Sequence, residues 1–174
     1  MLVSTKNKRE IKAESLRAAA RVMQRCDALA LASLNPDYIE RTYLSKAHAQ
    51  ANKIVEGWIS EAQMESWQDS VGNVWGRYTC KETNAPVLII GSHLDSVVNA
   101  GKYDGILGVL LGIELGNFLA RHQIDLPFHL DVVGFCDEEG VRFGATLLGS
   151  QALTGKWQPE WIELTDESGV SLAE

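Results

Sequence analysis

Two short runs of apolar residues place the strongest constraint on what this chain can fold into. Residues 87–90 read Val-Leu-Ile-Ile, and residues 128–135 carry Leu130, Val132, Val133 and Phe135. Near-continuous runs of this kind mark strands buried on both faces, as in parallel sheets covered by helices. Between them, residues 106–121 form an apolar stretch of helical length in which Gly108 and Gly112 allow close packing. Strand, helix, strand is a βαβ unit, which requires a parallel pair and a right-handed crossover. The expected fold class is therefore α/β, with a mostly parallel central sheet.

The remaining segments fit around that unit. Apolar residues from Ile11 through Leu16, Ala19, Val22 and Leu29 keep helical spacing to about Ser33, and Asn35-Pro36 breaks it. Ser45 is placed to cap a second helix over 46–62, with Ala47, Ala51, Ile54, Val55 and Trp58 on one face. Two β-like stretches, 64–68 and 73–79, meet at Gly72-Asn73. A short helix near 145–153 and a polar tail close the chain. Lys6, Lys8, Arg9 and Lys12 make residues 1–10 a solvated, flexible N-terminal tail in this reading.

Composition removes several classes of function. The net charge of −7 repels nucleic acid and anionic membranes. No apolar run approaches the roughly 20 residues of a membrane span, and MLVSTKNKRE lacks a secretory core. Cys26, Cys80 and Cys136 are odd in number and lack metal-ligand spacing, so reduced thiols in a cytoplasmic protein are expected. The length of 174 residues fits one domain, or one domain and a fragment.

Both apolar strands end in polar clusters, and sites in open α/β sheets collect at the carboxyl ends of strands. The first strand runs into Gly91-Ser92-His93-Leu94-Asp95, and Asp104 follows a Gly-bearing loop before the helix. The second runs into Cys136-Asp137-Glu138-Glu139-Gly140. So many carboxylates in one cleft repel one another unless a cation neutralises them. An imidazole with carboxylates suits Zn²⁺, Mn²⁺ or Co²⁺. Blander accounts remain open at this level. His-x-Asp is common by chance, Asp104 could cap the helix at Ile106, and Glu138-Glu139 could be a solvated loop. A phosphate loop is excluded, since Tyr103 follows Gly101-Lys102 and Ser96 stands where the first Gly belongs. No Gly-x-Ser-x-Gly elbow exists, and Cys136 sits at an apolar strand end as a structural thiol.

Three blocks resemble consecutive motifs of the allantoate amidohydrolase and N-carbamoyl-L-amino acid hydrolase group of the peptidase M20-like metallohydrolases. They are Gly91-Ser92-His93-Leu94-Asp95-Ser96-Val97, then Gly101-Lys102-Tyr103-Asp104-Gly105-Ile106-Leu107-Gly108-Val109, then Phe135-Cys136-Asp137-Glu138-Glu139-Gly140-Val141-Arg142-Phe143. The spacings agree, with Asp104 following His93 by 11 positions and Glu139 by 46. The resemblance runs over nearly the whole chain after residue 10. It implies the N-terminal portion of a metallohydrolase catalytic domain over residues 11–174.

Carried over position by position, it implies two divalent ions, Zn²⁺ or Mn²⁺, with Co²⁺ and Ni²⁺ as alternatives. His93 would be a terminal ligand of one metal, Asp104 the bridge, and Glu139 a ligand of the second. Glu138 would be the general base for the attacking water. Asp95 would complete the catalytic group by holding the His93 imidazole in its ligating tautomer. The implied reaction is hydrolysis of a non-peptide C–N bond in a ureido substrate, allantoate first and an N-carbamoyl-L-amino acid second. Family members add two ligand histidines and an inserted lid and dimerisation domain that makes them homodimers. His48, His122 and His129 stand in the wrong contexts to replace those histidines. The expectation is a truncated chain, inactive alone. Rival readings are an M20-type aminopeptidase or deacylase, and a non-catalytic fragment that partners a separate C-terminal half.

Overall fold

The computed structural model describes residues 5–82 and 84–173, with side chains from residue 10 onward in the first helix. Helix α1 runs Thr5–Ala30. Residues 1–4 of the expected tail lie outside the described residues, whereas the rest of that tail is the first turns of α1. No Gly or Pro interrupts Thr5–Ala30, so backbone propensity carries the helix well upstream of its first apolar residue. Helix α2, Lys46–Glu61, begins as the sequence indicates, with the Ser45 side chain accepting the His48 amide at 3.1 Å.

Four strands follow the order β1-β2-β4-β3. They are β1 Glu65–Gln68, β2 Val74–Tyr78, β3 Val87–His93 and β4 His129–Phe135, with helix α3, Ile106–Arg121, between the last two. Strands β3 and β4 are parallel and in register from Val87↔His129 to His93↔Phe135. The pairs β1–β2 and β2–β4 are antiparallel, so the α/β class holds but the sheet is mixed, with one parallel pairing. Only the βαβ crossover demands parallel pairing. The five residues between Gln68 and Val74 close a tight antiparallel hairpin instead.

Helices α1, α2 and α3 share one core with the sheet face that carries Val74 and Val132. Two glycines set how closely they approach. A Cβ at Gly112 would sit 2.8 Å from Val132 Cγ1, and one at Gly76 would sit 2.7 Å from Ile59 Cγ2. The opposite face carries Trp75, which stacks on Trp67, and Asp131, which holds Arg77. Strand β4 is buried almost throughout, as expected. Strand β3 departs from expectation: it is the sheet edge, and Val87, Leu88 and Ile89 are 43%, 48% and 45% exposed. Its apolar sequence calls for a neighbour that no described strand provides on that side.

The stretch read as a polar tail is folded. After helix α4, Leu148–Leu153, a 3-10 turn spans Pro159–Glu163. Trp157, Trp161, Leu164 and Leu172 pack on a second core of Tyr43, Cys136, Phe143 and Leu148. These four apolar residues are spread among polar ones without periodicity, which hides their role in sequence.

Candidate metal centre

The parallel register places the carboxyl ends of β3 and β4 side by side, with His93 opposite Phe135 and the Leu94 amide donating to Phe135 O at 2.9 Å. His93 is therefore the last residue of its strand, 9% exposed, with its ring at the sheet end. Its Nδ1 lies 3.1 Å from the carbonyl oxygen of Asp95, and its Nε2 lies 3.8 Å from Asp104 Oδ1. Gly105 makes this arrangement possible twice over. It holds φ +68°, and a Cβ there would come within 2.6 Å of the His93 ring.

Asp104 is not a helix cap. Gly105 occupies the cap position of α3 with no side-chain bond, and the Asp104 carboxylate is 55% exposed. One donor atom each from His93, Asp104 and Glu139 lie within 4.8 Å of one another. Glu139 is pushed above the usual carboxylate range by burial, with Glu138, Asp104 and Asp95 adding to the rise and His93 opposing it. A partly buried carboxylate that faces other carboxylates fits a divalent cation, and imidazole with two carboxylates is a suitable donor set. Glu138 stands beside Glu139, partly buried, on the loop that follows β4.

Other polar groups near the centre were not singled out in sequence. Arg41 is 2% exposed and donates to Leu94 O at 2.7 Å, Leu29 O at 3.0 Å and Ala32 O at 2.8 Å. Burial lowers it to about 10, with Asp95 opposing. Asp137 holds φ +48°, is 1% exposed, and leaves Oδ2 without a partner among the described residues. Burial, then Asp95, pushes it up to about 7. Arg142 donates through Nε and Nη2 to Asp166 Oδ2, at 3.0 and 2.9 Å, and through Nη1 to Tyr43 O at 3.1 Å. The contacts of Arg41 with Leu94 and of Arg142 with Tyr43 are not signalled by local spacing, because each joins segments more than fifty positions apart.

Of the histidines set aside in sequence, two are partnered elsewhere, and the third, His48, is buried with its Nε2 unpartnered among the described residues. His122 Nε2 lies 2.9 Å from Glu14, and His129 Nδ1 accepts the Cys80 amide at 3.2 Å. Burial lowers His48 to about 4, aided by Arg41. Cys136 is fully buried, its thiol donates to Val71 O at 3.1 Å, and burial pushes its pKa up.

Residues 73–165, more than half of the chain, match the family model described as Peptidase family M28. The chain belongs to that family. The M28 description stands where the sequence resemblance pointed to M20-like hydrolases, and the relatives carry the names that resemblance implied. An allantoate deiminase of Arabidopsis thaliana is 42% identical over 78% of this chain and 26% of its own length. An N-carbamoyl-L-amino-acid amidohydrolase of Pseudomonas sp. (strain NS671) is 38% identical over 76% of this chain and 32% of its own. The crystal structure of a hydantoinase/carbamoylase family amidase from Burkholderia ambifaria superposes with a TM-score of 0.83 at 29% identity. It is covered over 38% of its length by 88% of this chain. This M28 chain thus spans about a quarter to a third of the curated relatives it matches.

Proposed function

We propose that this chain carries part of the active site of a dinuclear metal-dependent amidohydrolase acting on a ureido substrate, with allantoate as the preferred substrate. The observation that carries the reading is the meeting of His93, Asp104 and Glu139 donor atoms within 4.8 Å at the carboxyl ends of β3 and β4. His93 would hold one ion, Asp104 would bridge, and Glu139 would hold the second, with Zn²⁺ or Mn²⁺ as the metals. When bound, such ions polarise a carbonyl and acidify water. Glu138 would take the proton of the attacking water and return it to the departing nitrogen, which leaves as ammonia.

Each ion receives only two groups from this chain in that scheme, fewer than the three protein ligands usual in catalytic zinc sites. The remaining ligands would come from the length that the relatives possess beyond this match, along with a lid that makes a homodimer. A net charge of −7 argues against nucleic acid and anionic membrane as partners, and the free thiols of Cys26, Cys80 and Cys136 fit a cytoplasmic enzyme. No helix among the described residues is long and apolar enough to cross a membrane.

The test is ammonia release from allantoate by the metal-loaded chain, alone and joined to the remaining length of its relatives. The chain alone should match a metal-only control, and the joined protein should turn over. Glu138→Gln should then lower the rate by roughly 10² to 10⁴, the usual cost of losing a general base. Full turnover in that variant would remove Glu138 from the role. The 38% identity to the Pseudomonas carbamoyl-amino-acid hydrolase supports a second substrate reading. Faster release from N-carbamoyl-L-amino acids than from allantoate would favour it.

A further inference from the structure

Asp104-Gly105 is the single Asp-Gly pair in the chain, and it lies in the candidate metal centre. Gly105 holds φ +68° and ψ −52°, and the Ile106 amide reaches back to Asp104 O at 2.7 Å. That is a γ-turn of the rare, strained kind. The Gly105 amide donates to no described residue, and the Asp104 side chain is 55% exposed. Glycine leaves its amide unshielded by a side chain, yet the fold requires it here. A Cβ would come within 2.6 Å of the His93 ring. A labile pair is thus built into the site.

We propose that Asp104-Gly105 is a covalent modification site, at which the metal-free chain isomerises to isoaspartate through a succinimide. The Gly105 nitrogen attacks Asp104 Cγ and a C–N bond forms. One carboxyl oxygen leaves as water, with the amide proton and one proton from solvent. Water then adds at the backbone carbonyl carbon of Asp104, and the bond from that carbon to the Gly105 nitrogen breaks. The nitrogen takes a proton of that water, and the new carboxylate returns the other to solvent. One water is lost and one regained, so no oxidant or further reactant is needed. Ring closure between adjacent residues has the entropic advantage of an intramolecular reaction.

Burial and hydrogen bonding set Asp104 apart from the other aspartates that precede a small residue. Asp95, before Ser96, is 1% exposed, and its carboxylate accepts the amides of Glu138 and Glu139 at 3.1 and 3.2 Å. Asp69, before Ser70, accepts the amides of Val71 and Asn73, Asn73 Nδ2 and Trp75 Nε1. Asp27, before Ala28, lies within α1, where the helix fixes the backbone and Lys102 holds the carboxylate. Isomerisation at Asp104 lengthens the backbone by one carbon and shortens the side chain by one. The carboxylate that faces His93 Nε2 at 3.8 Å is thereby displaced. A divalent cation held by that carboxylate blocks the attack. This protection, unlike the modification itself, rests on the metal-site reading.

Ageing the full, metal-free chain at neutral pH and physiological temperature tests this, with isoaspartate located by fragmentation mass spectrometry. It should accumulate at Asp104 and not at Asp27, Asp69 or Asp95. In guanidinium, where the fold is lost, the other three should react too, and folding should suppress Asp69 and Asp95 far more than Asp104. Asp104→Glu should abolish the signal at that position, because its carboxyl needs a larger ring. An unmodified Asp104 in the aged native chain, or equal suppression of Asp69, Asp95 and Asp104 by folding, would overturn the proposal. Zinc at about ten times its dissociation constant should slow the reaction by about tenfold, by mass action. Isomerisation at an unchanged rate in zinc would keep the modification and sink the metal reading instead.

Discussion

Strands β3 and β4 are alike in sequence and opposite in surroundings. Leu88 and Leu130 are register partners on neighbouring parallel strands, yet Leu88 is 48% exposed and Leu130 only 1%. Strand β4 lies between β2 and β3, under Gly112 of α3. Strand β3 has β4 on one side and no described strand on the other. An apolar run therefore reports the surroundings a strand is built for, and the exposure of β3 shows how much of its outer side the described residues leave uncovered. The functional ends of the two strands do not share that asymmetry. His93 and Phe135 are aligned, and the hydrogen bonds from Leu94 and through Asp95 tie the two loops together. The site is thus anchored on the one parallel pairing among the described strands, which is in register along its whole length.

The sharpest way to break this comparison is to truncate each partner in turn. Leu130→Ala should cost about 2–5 kcal/mol, as expected for a buried leucine. Leu88→Ala should cost less than about 1 kcal/mol, because half of that side chain already meets water. Urea unfolding of the two variants measures both, and similar losses would mean that β3 is covered in solution.

A somewhat smaller effect probes the closed side of the molecule, where α2 packs on the sheet. His48 is buried and held at about 4, below its ordinary 6.5. The unfolded chain then binds more protons than the folded one between these values, so stability is full above 6.5 and falls as the pH drops toward 4. Going from pH 7 to 5 should remove about 2 kcal/mol through this group. His48→Gln should be less stable at pH 7 but should lose that much less on acidification, which melts at the two pH values will show.

How much of this was legible in sequence divides along the same lines. The βαβ unit, the Ser45 cap and the helix Ile106–Arg121 were readable, because periodicity and capping are local signals. His93 and Glu139 were readable as polar residues following apolar strands, and Asp104 as the carboxylate before the helix that joins them. The mixed sheet was not, since the pairing of β2 with β4 depends on residues more than fifty positions apart. Nor was the exposure of Val87, Leu88 and Ile89, because a sequence shows what a strand is suited to and not what its neighbours supply. Arg41 and the amide contacts of Asp95 escaped for the same reason. Their partners are backbone atoms of distant segments, and backbone atoms leave no mark in the sequence.

The subtlest consequence of the open flank is association. The exposed edge of β3 offers unpaired backbone groups beside Val87, Leu88 and Ile89, which favours pairing with a second chain. Sedimentation should show concentration-dependent self-association that Leu88→Lys reduces with little change in melting. A strictly monomeric chain that binds no apolar dye would show that these residues close their own core.

Calorimetric titration of the chain with Zn²⁺ or Mn²⁺ tests the metal centre most directly. Saturable but weak binding is predicted, because each ion finds at most two groups in the proposed scheme. His93→Ala and Asp104→Asn should each weaken it further by about tenfold or more, in line with the loss of a ligand. Binding that is absent, or that both variants leave unchanged, would contradict the assignment of His93, Asp104 and Glu139 as a metal site.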